Sequence, residues 1–342
     1  MNTFKWYSVL VGVVILHLLT QPFNVYSALE RRLLSTDIEW SWENALDQTF
    51  QDSLENTLND QMVTREWWIK VNTLKDTLLG RLIFDKVMPS EHGLVEVWFE
   101  DSDQLKRNIE FLKAFEAKVN AIVNVVPHSG SLLVPSYHDD SLLYDSEGYP
   151  SLRTWLMSQS SASSLMYQGD HHLNHFATPL MAEHLFNQLG LNLIQPTLSY
   201  CADFSGTLQP YYLSFKPKLD SLWVYDTPIE SIQFNNQTHS SLHDLSACEG
   251  NNAYGGLMHG NQGFSSIQTG LKNNQSLLLI KDSHAHQLIP FLALHYQTID
   301  VVDLRHYNGS IQALVDQGYD DVVVFVGEGS VRDDRNFFKL SR

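Results

Sequence analysis

Leu277-Leu-Leu-Ile280, followed at once by Lys281-Asp282-Ser283, is the stretch that decides the fold. Four apolar residues without alternation describe a strand buried on both faces, as strands of parallel sheets are. The polar turn after it places Ser283 where the strand hands over to a helix, expected from Ala285 to His295. Working outward, Ile299-Asp-Val-Val302 and Val322-Val-Val-Phe-Val326 read as strands, with a helix from Ile311 to Asp316 between them. Upstream, Leu94-Val-Glu-Val-Trp98 and Ala121-Ile-Val-Asn-Val-Val126 read as strands flanking a helix from Asp101 to Val119. Ser160 to Tyr167 leads a short strand into Gly169-Asp170. Thr178-Pro179 then opens a helix that stops at Gly190, Thr being a good N-cap and Pro suiting the first helical position. Strands alternating with helices predict an α/β fold built on a doubly wound parallel sheet. In such sheets the site lies beyond the carboxyl ends of the strands. Two polar clusters are expected at such ends, Asp170-His171-His172 and Asp282-Ser283.

The chain begins differently. Lys5 precedes an apolar run from Trp6 to Leu19, and Val25-Tyr-Ser27 resembles a small-residue cleavage site. The run is short for a spanning helix and carries Gly12 and His17. Residues 1–27 therefore read as an export signal or membrane anchor, with the body outside the cytoplasm. Residues 28–92 read as a helical N-terminal region. Leu46, Phe50, Leu54 and Leu58 form one helical stripe, and Trp67, Val71, Leu74 and Leu78 a second. Both stripes, and the adjacent Trp67 and Trp68, are expected to pack rather than bind ligand. Residues 93–342 read as the catalytic domain, with a polar insertion at about 201–275 near the site.

The net charge is −17, with 39 acids against 22 Lys and Arg. Such a surface repels phosphate backbones and argues against nucleic acid as a partner. Cys201 and Cys248 have no metal-binding spacing, and sequence alone leaves open whether they pair.

A serine hydroxyl is a poor nucleophile at neutral pH and needs a base within hydrogen-bond reach, itself held by an orienting group. Ser283 at a strand end, with helix amides behind it to receive an oxyanion, suits the nucleophile. Asp170 and His172 stand two apart on one loop, so both side chains reach the same cleft, with His171 pointing the other way. An alternative is a metal cluster of Asp170, His171, His172 and His175, since imidazole and carboxylate suit zinc. No HExxH pattern accompanies them, so the triad is preferred and neither metal nor cofactor is expected. His286 and His295 come after Ser283 without an expected role.

The block Tyr167-Gln-Gly-Asp-His-His172 resembles the signature of the DHHW proteins, relatives of the alginate O-acetylation proteins within the SGNH hydrolase superfamily. Leu278-Leu-Ile-Lys-Asp-Ser283, continuing to Asp303-Leu304-Arg305, resembles the GDS block that comes after it in that family. Phe204-Ser-Gly-Thr207 and Asn59-Asp-Gln-Met-Val-Thr-Arg65 are further similarities. The Asp-x-His block precedes the Ser block, an order that implies a circularly permuted SGNH-like domain. The resemblance implies Ser283 as the acyl-accepting serine, His172 as base and Asp170 as its orienter. Gly206 is a candidate oxyanion donor and Asp282 a supporting residue. It also implies transfer of an acyl group, as acetyl, to or from an exported or cell-surface polysaccharide, with a membrane-bound O-acyltransferase as partner. Hydrolysis by a carbohydrate esterase, or a non-catalytic glycan-binding scaffold on the same fold, are the rival readings. Two positions depart from the pattern. Lys281 stands where the family has the Gly of GDS, bringing a long cation toward the nucleophile turn, and Leu173 replaces the Trp of DHHW, removing an aromatic wall beside the base.

Overall fold

The computed structural model describes residues 20 to 341, apart from positions 21, 28, 31, 39, 63 and 251 and the segments 99–102 and 135–150. The apolar run from Trp6 to Leu19 lies outside the described residues. Among them, no helix is long and apolar enough to cross a membrane. The chain divides into two compact units: residues 1–85 with 209–217, and residues 86–208 with 218–342.

The first unit is helical, with helices Trp42–Leu46, Thr49–Asp60 and Arg65–Leu78 and a minimal hairpin of strands β1 (Tyr26–Ser27) and β2 (Arg32–Leu33). Ser41 caps the first helix by accepting the Asn44 amide at 2.9 Å. Arg32 donates to Asp60, and Arg65 is paired with Glu30. The apolar stripes do not pack as expected. The two longer helices fully bury only Thr57 and Thr73. Leu46 and Leu78 are 86% and 78% exposed, and Trp67 and Trp68 are exposed too. Amphipathic spacing gives a helix its face but does not supply the surface that would cover it.

The second unit carries the sheet. In chain order its strands are β3 (Val87–Ser90), β4 (Gly93–Glu96), β5 (Ile122–Val126), β6 (Thr197–Phe204), β7 (Asp220–Asp226), β8 (Ser231–Phe234), β9 (Gln237–His239), β10 (Phe264–Gln268), β11 (Ser276–Lys281), β12 (Thr298–Val302) and β13 (Asp321–Gly327). Seven of them form one sheet in the order β5-β13-β11-β12-β10-β8-β9. β5, β13, β11 and β12 are parallel neighbours, and β10, β8 and β9 continue the sheet antiparallel. β11 lies at the centre of the parallel part, which explains its unbroken apolar run. Leu277 and Leu279 belong to one core with Met181, Leu185 and Phe291, while Leu278 and Ile280 belong to another with Leu112, Phe115 and Val331. Helices therefore cover both faces, and the fold class is the α/β, doubly wound one expected. The Asp103–Val119 helix lies on one side and the Ala177–Leu189 helix on the other.

Three local expectations fail. The strand read at 94–98 is β4, which pairs with β3 in a separate hairpin instead of joining the main sheet. Ser160 to Tyr167 is not a strand: Ala162–Leu165 is helical, and only Met166 makes a bridge, to Leu173. The helix expected from Ala285 to His295 is replaced by a 3-10 turn at Ser283–Ala285 and a four-residue helix, Ile289–Leu292. Pro290 has no N–H to donate to the His286 carbonyl, so the helical bonding is interrupted there, and Pro290 sits instead in the first turn of the short helix. The Ala177–Leu189 helix does end at Gly190, in left-handed conformation (φ 69°), but it starts one residue early, and Thr178 is not its cap. The Asn174 side chain accepts the Phe176 amide at 3.0 Å in the turn that leads into the helix.

Residues 201–275 are mostly ordered structure. They supply the end of β6, then β7 to β10, and the Cys201–Cys248 disulfide that ties β6 to the Leu245–Glu249 turn.

Candidate active site

β11 ends at Lys281, and Asp282 then fixes the turn that presents Ser283. Its Oδ1 accepts the His284 amide at 3.0 Å, while its Oδ2 accepts the Gly327 amide at 2.7 Å and the Ser330 hydroxyl at 2.6 Å. One buried carboxylate thus joins the ends of β11 and β13. Burial raises the Asp282 carboxyl, but His284 and these donors outweigh that and lower it overall. Asp282 itself also occupies the amides of His284 and Ala285, the latter through its carbonyl at 3.2 Å. The expected helix amides behind Ser283 are therefore engaged in capping the turn, and a helix N-terminus for the oxyanion is not formed there.

The Asp170 loop does not follow a strand of the sheet. Three outside elements hold it. Asp220, at the start of β7, accepts the Gln168 amide with Oδ1 and the Gly169 amide with Oδ2, both at 2.8 Å. Leu94 donates its amide to the Gln168 carbonyl at 2.7 Å, and Gly93 makes that approach feasible, since a Cβ there would lie 2.4 Å from the same oxygen. On the other side Leu208 donates to the Gly169 carbonyl at 2.9 Å. Gly206, at φ +74°, lets the two backbones meet: a Cβ on it would lie 2.1 Å from the Gly169 oxygen. Gly206 thus has a steric part in placing Asp170.

The structure brings Asp170, His172 and Ser283 together. His172 Nδ1 lies 2.5 Å from Asp170 Oδ1, and His172 Nε2 lies 2.8 Å from Ser283 Oγ. Asp170 is fully buried, and it also accepts the His172 amide at 2.9 Å and the Thr207 amide at 2.8 Å. Burial alone would raise its carboxyl. The imidazoles of His172 and His171 and the donated N–H groups hold it well below the ordinary range. An ionised Asp170 keeps the proton of His172 on Nδ1 and leaves the Nε2 lone pair facing the serine.

His171 does not point away as expected. Its ring lies 4.0 Å from that of His172, and its Nδ1 meets the Thr207 hydroxyl at 2.7 Å. His284, one residue past the nucleophile, completes a trio, its ring 4.7 Å from His172 and 5.5 Å from His171. Burial, then the neighbouring His172, pushes His171 down to about 4. Burial outweighs the pull of Asp282 and pushes His284 down to about 3. His175 takes no part in the cluster and instead packs with Phe176 and Trp223.

The two departures resolve differently from expectation. Lys281 is buried, with Nζ 2.8 Å from His286 Nε2 and 3.8 Å from Asp303, and no contact places its amine on Ser283. Burial pushes it down to about 8. Leu173 is a core residue, and the aromatic wall beside the base is Tyr254, stacked on His172 at 4.1 Å with its hydroxyl 3.4 Å from the Ser283 carbonyl. Tyr254, Asp220, Thr207 and His284 were given no role from sequence. Two of them carried a signal, His284 by its adjacency to Ser283 and Thr207 as the last residue of the Phe204–Thr207 similarity.

Behind the loop lies a cavity of about 820 Å³, lined among others by Glu91, Tyr167, His175, Phe176, Asp220 and Trp223.

Known structures share this architecture. A DHHW family protein from Eubacterium siraeum is 18% identical and superposes with a TM-score of 0.58, covering 75% of this chain and 94% of its own. Bacillus cereus PatB1 is 15% identical, with a TM-score of 0.53 over 72% and 97% of the two chains. A second PatB1 structure, carrying a sulfonyl adduct, is 14% identical, with a TM-score of 0.58 over 74% and 99%. The likeness establishes the fold, and it is the fold that the motif resemblance implies. No family model matches the sequence, and neither does any curated protein.

Proposed function

We propose that the protein transfers an acyl group, as acetyl, to an exported or cell-surface polysaccharide through an acyl-enzyme at Ser283. The observation that carries this reading is His172 bridging Asp170 at 2.5 Å and Ser283 at 2.8 Å. In the first half-reaction Ser283 Oγ attacks the ester carbonyl while His172 Nε2 takes its proton. Asp170 stabilises the imidazolium so formed. The leaving group departs with that proton, and the acyl carbon stays on Ser283. In the second half a sugar hydroxyl repeats the attack, again deprotonated by His172, and the serine is restored. Gly206 is the proposed backbone donor to the oxyanion.

The motif resemblance is what favours a polysaccharide acceptor over water. The cavity behind the catalytic loop, lined by Phe176, Trp223, Glu91 and Ser221 among others but by none of Asp170, His172 and Ser283, is the proposed seat of a sugar remote from the reacting hydroxyl. The Cys201–Cys248 disulfide supports an oxidising, extracytoplasmic location. A membrane-bound acyltransferase is the proposed source of the acyl group. The sulfonyl adduct on PatB1 suggests the chemical test. A sulfonyl fluoride or an activated acetyl ester should add one group to the intact protein, at Ser283, and Ser283→Ala should take up none. Labelling that persists in Ser283→Ala would overturn the reading, and so would a folded wild type that labels with neither reagent.

A further inference from the structure

His171, His172 and His284 each bring a ring nitrogen to within 4.8 Å of the others. Two of the rings are held from behind. His172 Nδ1 is on Asp170 Oδ1 at 2.5 Å, and His171 Nδ1 is on the Thr207 hydroxyl at 2.7 Å. The Thr207 amide is in turn held by Asp170 Oδ2 at 2.8 Å. Outer partners of this kind fix the tautomer and orientation of metal-binding imidazoles, leaving Nε2 as the ligand atom. The third ring lies with its Cδ2–Nε2 edge against Gly327, where a Cβ would be 2.4 Å and 2.6 Å from those atoms. Its Nδ1 is buried without a hydrogen-bond partner. Triad chemistry uses neither His171 nor this nitrogen, and a buried orphan atom calls for an explanation.

The geometry points to a binding site for a Zn²⁺-type cation made by His171, His172 and His284, whose occupation switches off Ser283. Three imidazoles with an open fourth position suit borderline-soft divalent ions and do not suit Mg²⁺ or Ca²⁺, which take oxygen ligands. Zn–N bonds of about 2.0–2.1 Å bring ligand nitrogens to roughly 3.4 Å apart in a tetrahedron, so the rings close by about an ångström on binding. Inhibition arises from one shared lone pair. His172 Nε2 lies 2.8 Å from Ser283 Oγ, and it cannot ligate a cation and accept the serine proton together. Inhibition rests on the acyl-transfer reading, whereas cation binding does not.

The test titrates ZnCl₂ into chelator-treated full-length protein by calorimetry, with MgCl₂ as control. Wild type should bind one Zn²⁺ and no Mg²⁺. Ser283→Ala should bind at least as tightly. His171→Asn and His284→Asn, checked by circular dichroism, should each bind more than about tenfold more weakly. Co²⁺ in the wild type supplies a direct readout that needs no variant: the visible absorption of a nitrogen-ligated tetrahedral site. Absence of stoichiometric binding and of that absorption overturns the site, as does wild-type affinity in both folded variants. One equivalent of Zn²⁺ should also block acylation of Ser283 by an activated ester, and chelation should restore it. Protein that binds Zn²⁺ yet acylates at an unchanged or higher rate overturns the inhibitory role. Failure of the acyl-transfer reading shows separately, as no acylation in zinc-free wild type, and the binding titration then still decides the site.

Discussion

The carboxylate of Asp220 holds the backbone of Gly169 from below, Oδ2 to the amide at 2.8 Å, while its other oxygen takes the amide of Gln168. The residue that orients the base is therefore set by a side chain 50 positions further along the chain, not by the sheet. Burial raises the Asp220 carboxyl, and the two amides oppose that shift without cancelling it. Asp220→Ala leaves the buried Gly169 N–H unpaired, at a cost of about 1–3 kcal/mol, and the half-buried Gln168 N–H as well, at less. The expected result is a less stable protein whose acylation rate falls more than its ester KM rises, because Asp170 is displaced. Urea unfolding and kcat measured separately from KM check this. A variant with unchanged kcat would remove Asp220 from the positioning of the triad.

The two neighbouring histidines differ in what they contact, and loss of each should differ in kind. His172→Ala removes the group that touches both Asp170 and Ser283 and should lower acylation by about 10⁴-fold or more. His171→Ala removes a ring packed at 4.0 Å and the bond to Thr207, and should cost at least a hundredfold less than His172→Ala. Stopped-flow acylation of both folded variants by an activated ester decides between them. A His171→Ala defect as large as that of His172→Ala would exchange their roles.

Range along the chain separates the features legible in the sequence from those it hid. Leu277 to Ile280 could be read as a doubly buried strand because burial on both faces writes itself into consecutive residues. The blocks Asp170-His171-His172 and Asp282-Ser283 could be found because each is local and chemically specific. The side chains that position them are not local. Thr207 lies inside the Phe204–Thr207 similarity but without a partner to give it a role, and Asp220 and Tyr254 lie in the polar stretch after residue 200, where composition suggests loop and no motif marks a partner so far along the chain. Local rules also misjudged the segment after Ser283. One helix was expected from Ala285 to His295, but Pro290, which cannot donate to the His286 carbonyl, leaves a turn and a short helix in its place. His171 was expected to alternate away from His172, as in extended chain. The bend of this loop puts both rings on one side instead.

The disulfide between Cys201 and Cys248 closes a loop across 47 positions that includes β7, β8 and β9. In the chain-entropy account such closure removes about 4 kcal/mol of disorder from the unfolded state. The double variant Cys201→Ser, Cys248→Ser should unfold at lower denaturant, and reduced wild type should match it. Because the Leu245–Glu249 turn packs close to the segment bearing Tyr254, acylation is expected to weaken as well. Equal denaturation midpoints for oxidised and reduced protein would show that the bond adds nothing to stability.

Lys281 gives the fold a pH dependence of opposite sign to the usual one for a paired lysine. Its folded-state pKa is lowered from 10.5 to about 8 by burial, with Asp303 and Asp282 opposing the shift. Below pH 8 the amine is charged in both states, and folding carries the full cost of burying that charge. Between about 8 and 10.5 the folded chain has released the proton and the unfolded chain still holds it. The unfolded state then binds more protons, so stability rises with pH in this window. The gain is on the order of 2 kcal/mol by pH 9.5. Lys281→Met removes the titration, although it also takes a hydrogen bond from His286. Denaturant unfolding of both proteins at pH 7, 8, 9 and 9.5 should show wild type gaining on the variant across the series. The upper limit stays below pH 10 because buried tyrosines such as Tyr254, held protonated by burial, favour the unfolded state once free tyrosine ionises. Parallel stability curves for the two proteins would mean that Lys281 remains charged when buried, with Asp303 compensating for its desolvation.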